Sequence, residues 1–326
     1  MRDIGIDLGT TNILVYVKGK GVVLNEPSVV SIDTNTKKVL AVGQEAKEML
    51  GRTPGKVKAI KPMKDGVIAD FEATEEMLNQ FMKKALGRKL LSKPRILICC
   101  PSNITSVEKN AIREIAERMG ARKIFLEEEP KVAAVGAGID ISKPNGNMVI
   151  DIGGGTTDIA VLSLGDIVIS KSLKIAGNVF DNDIKDYIKD KYKLLIGDRT
   201  AQTIKHEIGS VYKSDQKKSI SVKGRDLITG LPSTIKINSE EIEKALENDI
   251  NKILDAAKQV LEETPPELSA DIMENGVTLT GGGSLIHGIR ELFEEKLEIP
   301  VHLAENPLTS VAEGTGILLT NVHLVS

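Results

Sequence analysis

The sequence predicts an α/β protein of two duplicated halves, with mixed sheets flanked by helices and a smaller insertion in each half. Three observations carry this expectation. The chain writes one apolar hairpin twice, as Ile4-Gly-Ile-Asp-Leu-Gly-Thr-Thr-Asn-Ile-Leu-Val15 and as Val149-Ile-Asp-Ile-Gly-Gly-Gly-Thr-Thr-Asp-Ile-Ala-Val161. Its 326 residues exceed the usual size of a single hydrophobic core. Short apolar strands alternate with amphipathic helices, which indicates sheets covered by helices and not an all-helical bundle.

Each hairpin is an apolar run ending in an aspartate, then a glycine and threonine turn, then a second apolar run. Asp7 and Asp151 therefore stand at the ends of buried strands. Glycine lets the turn approach a ligand closely and present backbone N–H groups, which suits phosphate. Two such turns imply two similar domains gripping one nucleotide from both sides, with a carboxylate on each available for a hydrated Mg²⁺. The plainer alternative is that the glycines only make tight hairpins.

Between the hairpins, residues 32–66 are mixed, with turn signals at Asp33-Thr-Asn-Thr and Arg52-Thr-Pro-Gly55, and read as an insertion. Helical spacing runs from Thr74 to Leu86, with Thr74 as N-cap and Leu78, Phe81, Met82 and Ala85 on one face. A strand from Arg95 to Cys100 follows, then a helix from Ser106 to Met119, and a third helix beginning near Pro130. The second half repeats the plan. After its hairpin come an insertion rich in Lys, Ser and Gly from about 182 to 240, a helix from Ser239 to Glu263 and a strand from Gly276 to Thr280. A third glycine cluster, Gly281, Gly282 and Gly283, lies between that strand and a helix whose face carries Leu285, Ile289, Leu292 and Phe293. Ser284 is placed to cap that helix. No Walker A sequence and no G-x-G-x-x-G between strand and helix is present, so the phosphate grip is of the paired-hairpin kind.

Composition narrows the classes. With 41% hydrophobic and 27% charged residues, net charge -3 and pI near 6.0, nothing attracts nucleic acid globally. No stretch reaches transmembrane length, and Met1-Arg-Asp leads directly into a strand, so no signal peptide is expected. Cys99 and Cys100 are adjacent within a strand and point to opposite faces, which favours two buried thiols in a reducing cytoplasm over a disulfide. The four histidines lack metal-ligand spacing.

Asp7-Leu-Gly-Thr10, Leu126-Glu-Glu-Glu-Pro130, Asp151-Ile-Gly-Gly-Gly-Thr-Thr157 and Leu279-Thr-Gly-Gly-Gly283 together resemble the actin and heat-shock-chaperone ATPase superfamily. More closely, Leu24-Asn-Glu-Pro-Ser-Val-Val30, Asp65-Gly-Val-Ile-Ala-Asp-Phe71, Pro101-Ser-Asn-Ile-Thr-Ser-Val-Glu108, Thr229-Gly-Leu-Pro232 and Thr264-Pro-Pro-Glu-Leu268 resemble the MreB/Mbl family of bacterial rod shape-determining actin homologues. The resemblance extends to Glu305-Asn-Pro-Leu-Thr-Ser-Val-Ala312, and Lys131-Val-Ala-Ala-Val-Gly-Ala-Gly138 leans toward the Mbl type. It implies an actin-like ATPase fold. Its first domain would be 1–31, 67–140 and 305–326 with 32–66 inserted, and its second 141–181 and 241–304 with 182–240 inserted.

The resemblance also implies roles. Glu129 matches the residue that orients the attacking water, since γ-phosphate hydrolysis needs in-line water and neutralised charge more than a nucleophilic side chain. Asp7 and Asp151 would hold the water shell of Mg²⁺, with Asp158 either helping or serving as a turn cap. Thr10, Thr11, Asn12, Gly153, Gly154, Gly155, Thr156 and Thr157 would surround the phosphates of ATP. Gly281, Gly282, Gly283, Ser284 and Leu285 would complete the nucleotide site. Gln202, Lys205 and His206 share one helical face, which either meets the ribose or is simply solvated. Glu127 and Glu128 read as surface acids. Gln202 and Asn178 depart from the Glu and Asp common in relatives.

Leu90 and Leu91, between Arg88, Lys89 and Lys93, resemble the loop with which relatives touch the inner face of the cell membrane; the alternative is packing under the following strand. One such loop binds weakly, so attachment needs a polymer presenting many copies. The expected protein is cytoplasmic, peripheral at the membrane, self-assembling into filaments and, by resemblance, linked to the cell-wall elongation proteins MreC, MreD and RodZ. A sugar kinase or other phosphotransferase on the same fold is the alternative function, and a chaperone ATPase a third.

Overall fold

The computed structural model describes residues 3–87, 93–212, 218–321 and 324. The first half opens with β1 (Asp3–Leu8) and β2 (Asn12–Val17), antiparallel, and continues into β3 (Gly21–Pro27). Ile4, Ile6, Ile13 and Val15 are fully buried, as β-branched side chains between a sheet and its covering helices should be. The insertion forms a three-stranded sheet of β4 (Val30–Asp33), β5 (Val39–Val42) and β6 (Val57–Ile60), with α1 (Gln44–Met49) laid on it through Ala46. A short pair, β7 (Met63–Lys64) and β8 (Val67–Ile68), returns the chain.

Helix α2 (Phe71–Leu86) begins one turn earlier than expected. Its N-cap is Asp70, which accepts from the Ala73 N–H at 3.0 Å, and Thr74 is instead buried inside the first turn with its hydroxyl donating to the Asp70 carbonyl at 2.7 Å. Both residue types cap helices, and the earlier start lets Phe71 pack on the first core. β9 (Arg95–Cys100) has the expected bounds, and α3 (Ser106–Arg118) is closed at its start by a Thr105–Glu108 capping box. β10 (Lys123–Glu128) then leads without a loop into α4 (Glu129–Gly136), where Pro130 occupies a first-turn position that needs no N–H.

The second half starts with β11 (Asn147–Ile152), β12 (Thr157–Ser163) and β13 (Asp166–Leu173). Its insertion follows from α5 (Gly177–Tyr192), with β14 (Leu194–Leu195), α6 (Asp198–Ile208), β15 (Ser219–Asp226) and β16 (Pro232–Asn238). α7 (Ser239–Glu263), capped by Asn238, and α8 (Pro266–Asn275) lead to β17 (Val277–Thr280). The helix expected directly after the glycines is broken in two. A 3₁₀ turn spans Gly282–Leu285, and α9 (Ile289–Leu297) starts only after Gly288, whose φ of 80° resets the chain direction. Ser284 therefore does not cap α9; its hydroxyl donates to the Gly281 carbonyl at 2.6 Å, and Leu285 faces out while Ile289 and Phe293 are buried. β18 (Val301–Leu303) and α10 (Ser310–Thr320) complete the described elements.

The two large sheets have the same plan, β10-β9-β1-β2-β3 and β18-β17-β11-β12-β13, each with an antiparallel hairpin and two parallel strands beyond its first strand. The repeated sequence thus fills the same place in both. Each half has its own core, and a third cluster joins them, in which Leu97 and Cys99 meet Val149, Ala160 and Leu162 around α4 and α10. Cys100 faces the first-half core instead, as strand alternation requires. α4 and α10 touch backbone to backbone. A Cβ on Gly136 would lie 1.7 Å from the Ser310 carbonyl oxygen, and one on Gly5 of β1 only 1.6 Å from the Thr315 hydroxyl oxygen.

Candidate nucleotide site

Asp7 and Asp151 end β1 and β11, the first strands of the two repeats, at the carboxyl edge where parallel neighbours β9 and β17 also stop. In α/β sheets this edge is where crevices form. The two glycine turns meet there. A Cβ on Gly154 would stand 1.9 Å from the Thr11 hydroxyl oxygen, and one on Gly155 2.4 Å from that of Thr10, so only glycine allows the halves to interlock. A cleft of about 800 Å³ opens beside them, a size that suits a small-molecule ligand.

Neighbouring segments fix the turns. The Thr10 hydroxyl accepts from the Gly66 N–H at 2.9 Å, and Ser28 donates to the Gly9 carbonyl at 2.6 Å. The opening amides of α5, Gly177 and Asn178, donate to the carbonyls of Gly153 and Gly154 at 3.1 and 2.8 Å. These bonds cap a helix that has no side-chain cap and occupy the turn's carbonyls, leaving amides as the polar groups it can offer to an anion.

Four carboxylates gather below. Asp151 is buried and accepts from the Thr280 hydroxyl at 2.8 Å; burial carries its pKa up to about 7, with Asp158 adding to the rise and the Thr280 bond opposing it. Burial, and then the charge of Asp151, bring Asp7 to about 7 as well. Burial also pushes Glu129 well above the usual carboxylate range, reinforced by Asp158, Asp7 and Asp151. Asp158 is raised by burial despite accepting from the Ser102 N–H at 3.1 Å, a bond that ties the second hairpin to the first half. It stands opposite Asp151 in the hairpin, where the first copy has Leu14 opposite Asp7. A hard, hydrated cation fits this oxygen-only set. Among the described residues no three acids or histidines form a direct cage, so the ion would be held through its waters, as Mg²⁺ usually is.

Glu127 departs from its expected place on the surface. It is buried, and its carboxylate lies 3.2 Å from the equally buried Nζ of Lys131. Glu128 remains partly exposed at the start of α4. A charge one turn ahead, at position 131, was the available sequence signal for this pair.

On the opposite wall α6 turns Gln202, Lys205 and His206 into the cleft together. Lys205 is partly buried; its Nζ donates to the Gly177 carbonyl at 2.7 Å and pairs with Asp181 at 2.8 Å. Burial lowers the amine of Lys205 and raises the carboxyl of Asp181, each opposed by the other's charge. Burial, with Lys205 beside it, lowers His206 too.

Asp7, Thr10, Thr11, Asn12, Glu129, Asp151, Gly153 to Thr156, Gly281, Gly282, Gly283 and Leu285 line the same cleft. Three expected residues stand behind its wall: Thr157, whose hydroxyl donates to the Ile175 carbonyl at 2.6 Å, Asp158 and Ser284. Leu90 and Leu91 lie outside the described residues. The cleft also holds Lys47, Asp181, Ile286 and His287, which no motif marks. Only Asp181 had a usable signal, one turn beyond Gly177 at the start of a helix.

Residues 1–326 match the family described as MreB/Mbl protein. The chain is 64% identical over 321 residues to the cell shape-determining protein Mbl of Bacillus cereus, covering 98% of this chain and 96% of that one. It is 50% identical over 328 residues to the cell shape-determining protein MreB of Escherichia coli, covering 99% and 94%. The crystal structure of MreB 5 of Spiroplasma citri bound to AMPPNP matches with a TM-score of 0.95 at 44% identity, over 99% of this chain and 97% of that one. Agreement of this extent, through both hairpins and both insertions, leaves one conclusion: the chain belongs to the MreB/Mbl family.

Proposed function

We propose that the chain is an ATP-binding and ATP-hydrolysing actin-like cytoskeletal protein that polymerises into membrane-associated filaments and organises cell-wall elongation and rod shape. The meeting of two glycine turns, one from each half, in a cleft backed by four carboxylates carries this reading. The fourfold domain division given above belongs to it, with the second insertion leaving from within α5.

In this reading Thr10, Thr11, Asn12 and the amides from Gly154 to Thr156 hold the phosphates, Gly153 closes the turn by donating its N–H to the Thr156 carbonyl at 2.9 Å, and Gln202, Lys205 and His206 meet the ribose. Gly281 to Gly283 and Leu285 form the facing wall. Asp7 and Asp151 hold hydrated Mg²⁺, which supplies charge neutralisation for the phosphates when bound. Glu129, at the first position of α4, orients the attacking water. The halves close on the ligand, and closure sets how one subunit fits the next in a head-to-tail polymer. Leu90 and Leu91 touch the inner face of the cytoplasmic membrane, and MreC, MreD and RodZ are the expected partners there.

Electron microscopy and co-sedimentation with anionic liposomes test the reading. ATP-dependent filaments on the liposomes are expected. Phosphorylation of a sugar without filaments would establish the kinase alternative instead.

A further inference from the structure

The mouth of the cleft carries cations from both sides. Lys47, on α1 of the first insertion, is half-buried and lines the cleft. Lys61, just after β6, reaches across to the second half and donates to the Asn178 side-chain oxygen at 3.3 Å. Asparagine accepts that bond without neutralising the charge. Arg199 stands on the facing first turn of α6. The carboxylates nearby are already engaged: Asp181 pairs with Lys205 at 2.8 Å and Asp198 with Lys185 at 2.5 Å. Among the described residues, Lys47, Lys61 and Arg199 make no ion pair. Burial lowers the pKa of Lys47, and Lys61 and Arg199 lower it further, with only Asp181 opposing. A half-buried ammonium among like charges is stabilised by an anion beside it.

We propose that Lys47, Lys61 and Arg199 form an electrostatic gate over the nucleotide, the two insertions being held together by the polyphosphate beneath them. This deepens the ATP-binding reading above and rests on it. Like charges across the mouth oppose closure when the cleft is empty. A bound polyanion interacts with all three more strongly in the closed form, and that difference is what a ligand needs to shift an opening equilibrium. Lys47 is the only one of the three that lines the cleft itself, so its charge governs escape most directly.

The test is stopped-flow displacement of a fluorescent ATP analogue, with Mg²⁺, from the full chain held below its polymerising concentration. Lys47→Gln is expected to speed release about three- to fivefold at low salt, the scale of one partly exposed charge interaction. It should also flatten the acceleration of release that salt produces in the wild type. Lys47→Arg, which keeps the charge, should release at the wild-type rate. Equal rates for wild type and Lys47→Gln, or an Arg variant as fast as the Gln variant, overturn the gate. A wild-type chain that binds no nucleotide overturns the underlying reading, and the gate with it.

Discussion

Lys131 and Glu127 face each other at 3.2 Å across the junction of β10 and α4, with both side chains buried and Glu129 between them in sequence. Removing one partner of a buried pair strands the other charge away from water. Lys131→Met is therefore expected to cost about 3–5 kcal/mol in urea unfolding. Adding Glu127→Gln should recover most of that loss, because neither charge then remains. A single variant that loses less than about 1 kcal/mol would mean that water reaches the pair.

Asp151 gives a pH dependence with a defined sign. Its folded pKa of about 7 lies above the ordinary aspartate value of 3.8, so between these values the folded chain binds more protons than the unfolded one. Stability of the nucleotide-free protein from this group therefore falls as pH rises through that window and stays low above it. Asp151→Asn should raise stability by up to about 4 kcal/mol at pH near 8 and hardly at all near 3, where the carboxyl is protonated in both the folded and the unfolded chain. Thermal unfolding at both pH values checks this. An equal gain at the two would reject burial of charge as the cause.

Glu129 is expected to act on water and not to grip the ligand. Glu129→Ala should slow phosphate release by about 100-fold while ATP affinity stays close to that of the wild type. Phosphate-release kinetics beside equilibrium nucleotide binding separate the two effects, and a variant that no longer binds ATP would reject the role.

What could be read from the sequence follows the strength of local patterning. β9 and α7 have their expected bounds because an apolar run closed by Pro101 and a long amphipathic repeat capped by Asn238 leave few alternatives. The expected start of α2 at Thr74 fell one turn late because Asp70 is the stronger cap and starting there lets Phe71 pack on the first core. Ser284 sits where a cap belongs, yet Gly288 adopts positive φ and moves the helix start four residues on. The duplicated hairpin located both cleft aspartates, since Asp7 and Asp151 lie within the repeat itself. Lys47 reaches the cleft only through the folding of the first insertion over it, a long-range arrangement that no local spacing records. The burial of Glu127 likewise depends on α4 being enclosed between the halves.

That enclosure bears on when the protein becomes competent during its synthesis. α4 and β1 are made early, but the helix that closes against both, α10, comes from residues 310–320. Until that stretch has cleared the ribosome, Gly136 and Gly5 lack the Ser310 and Thr315 contacts that seat them. Glu129 and Asp7 are carried on those same elements, with β1 meanwhile held by its pairing to β2 and β9. The packing that seats the first half of the cleft is thus completed by one of the last-made elements described, long after the strands and helix that carry its acids.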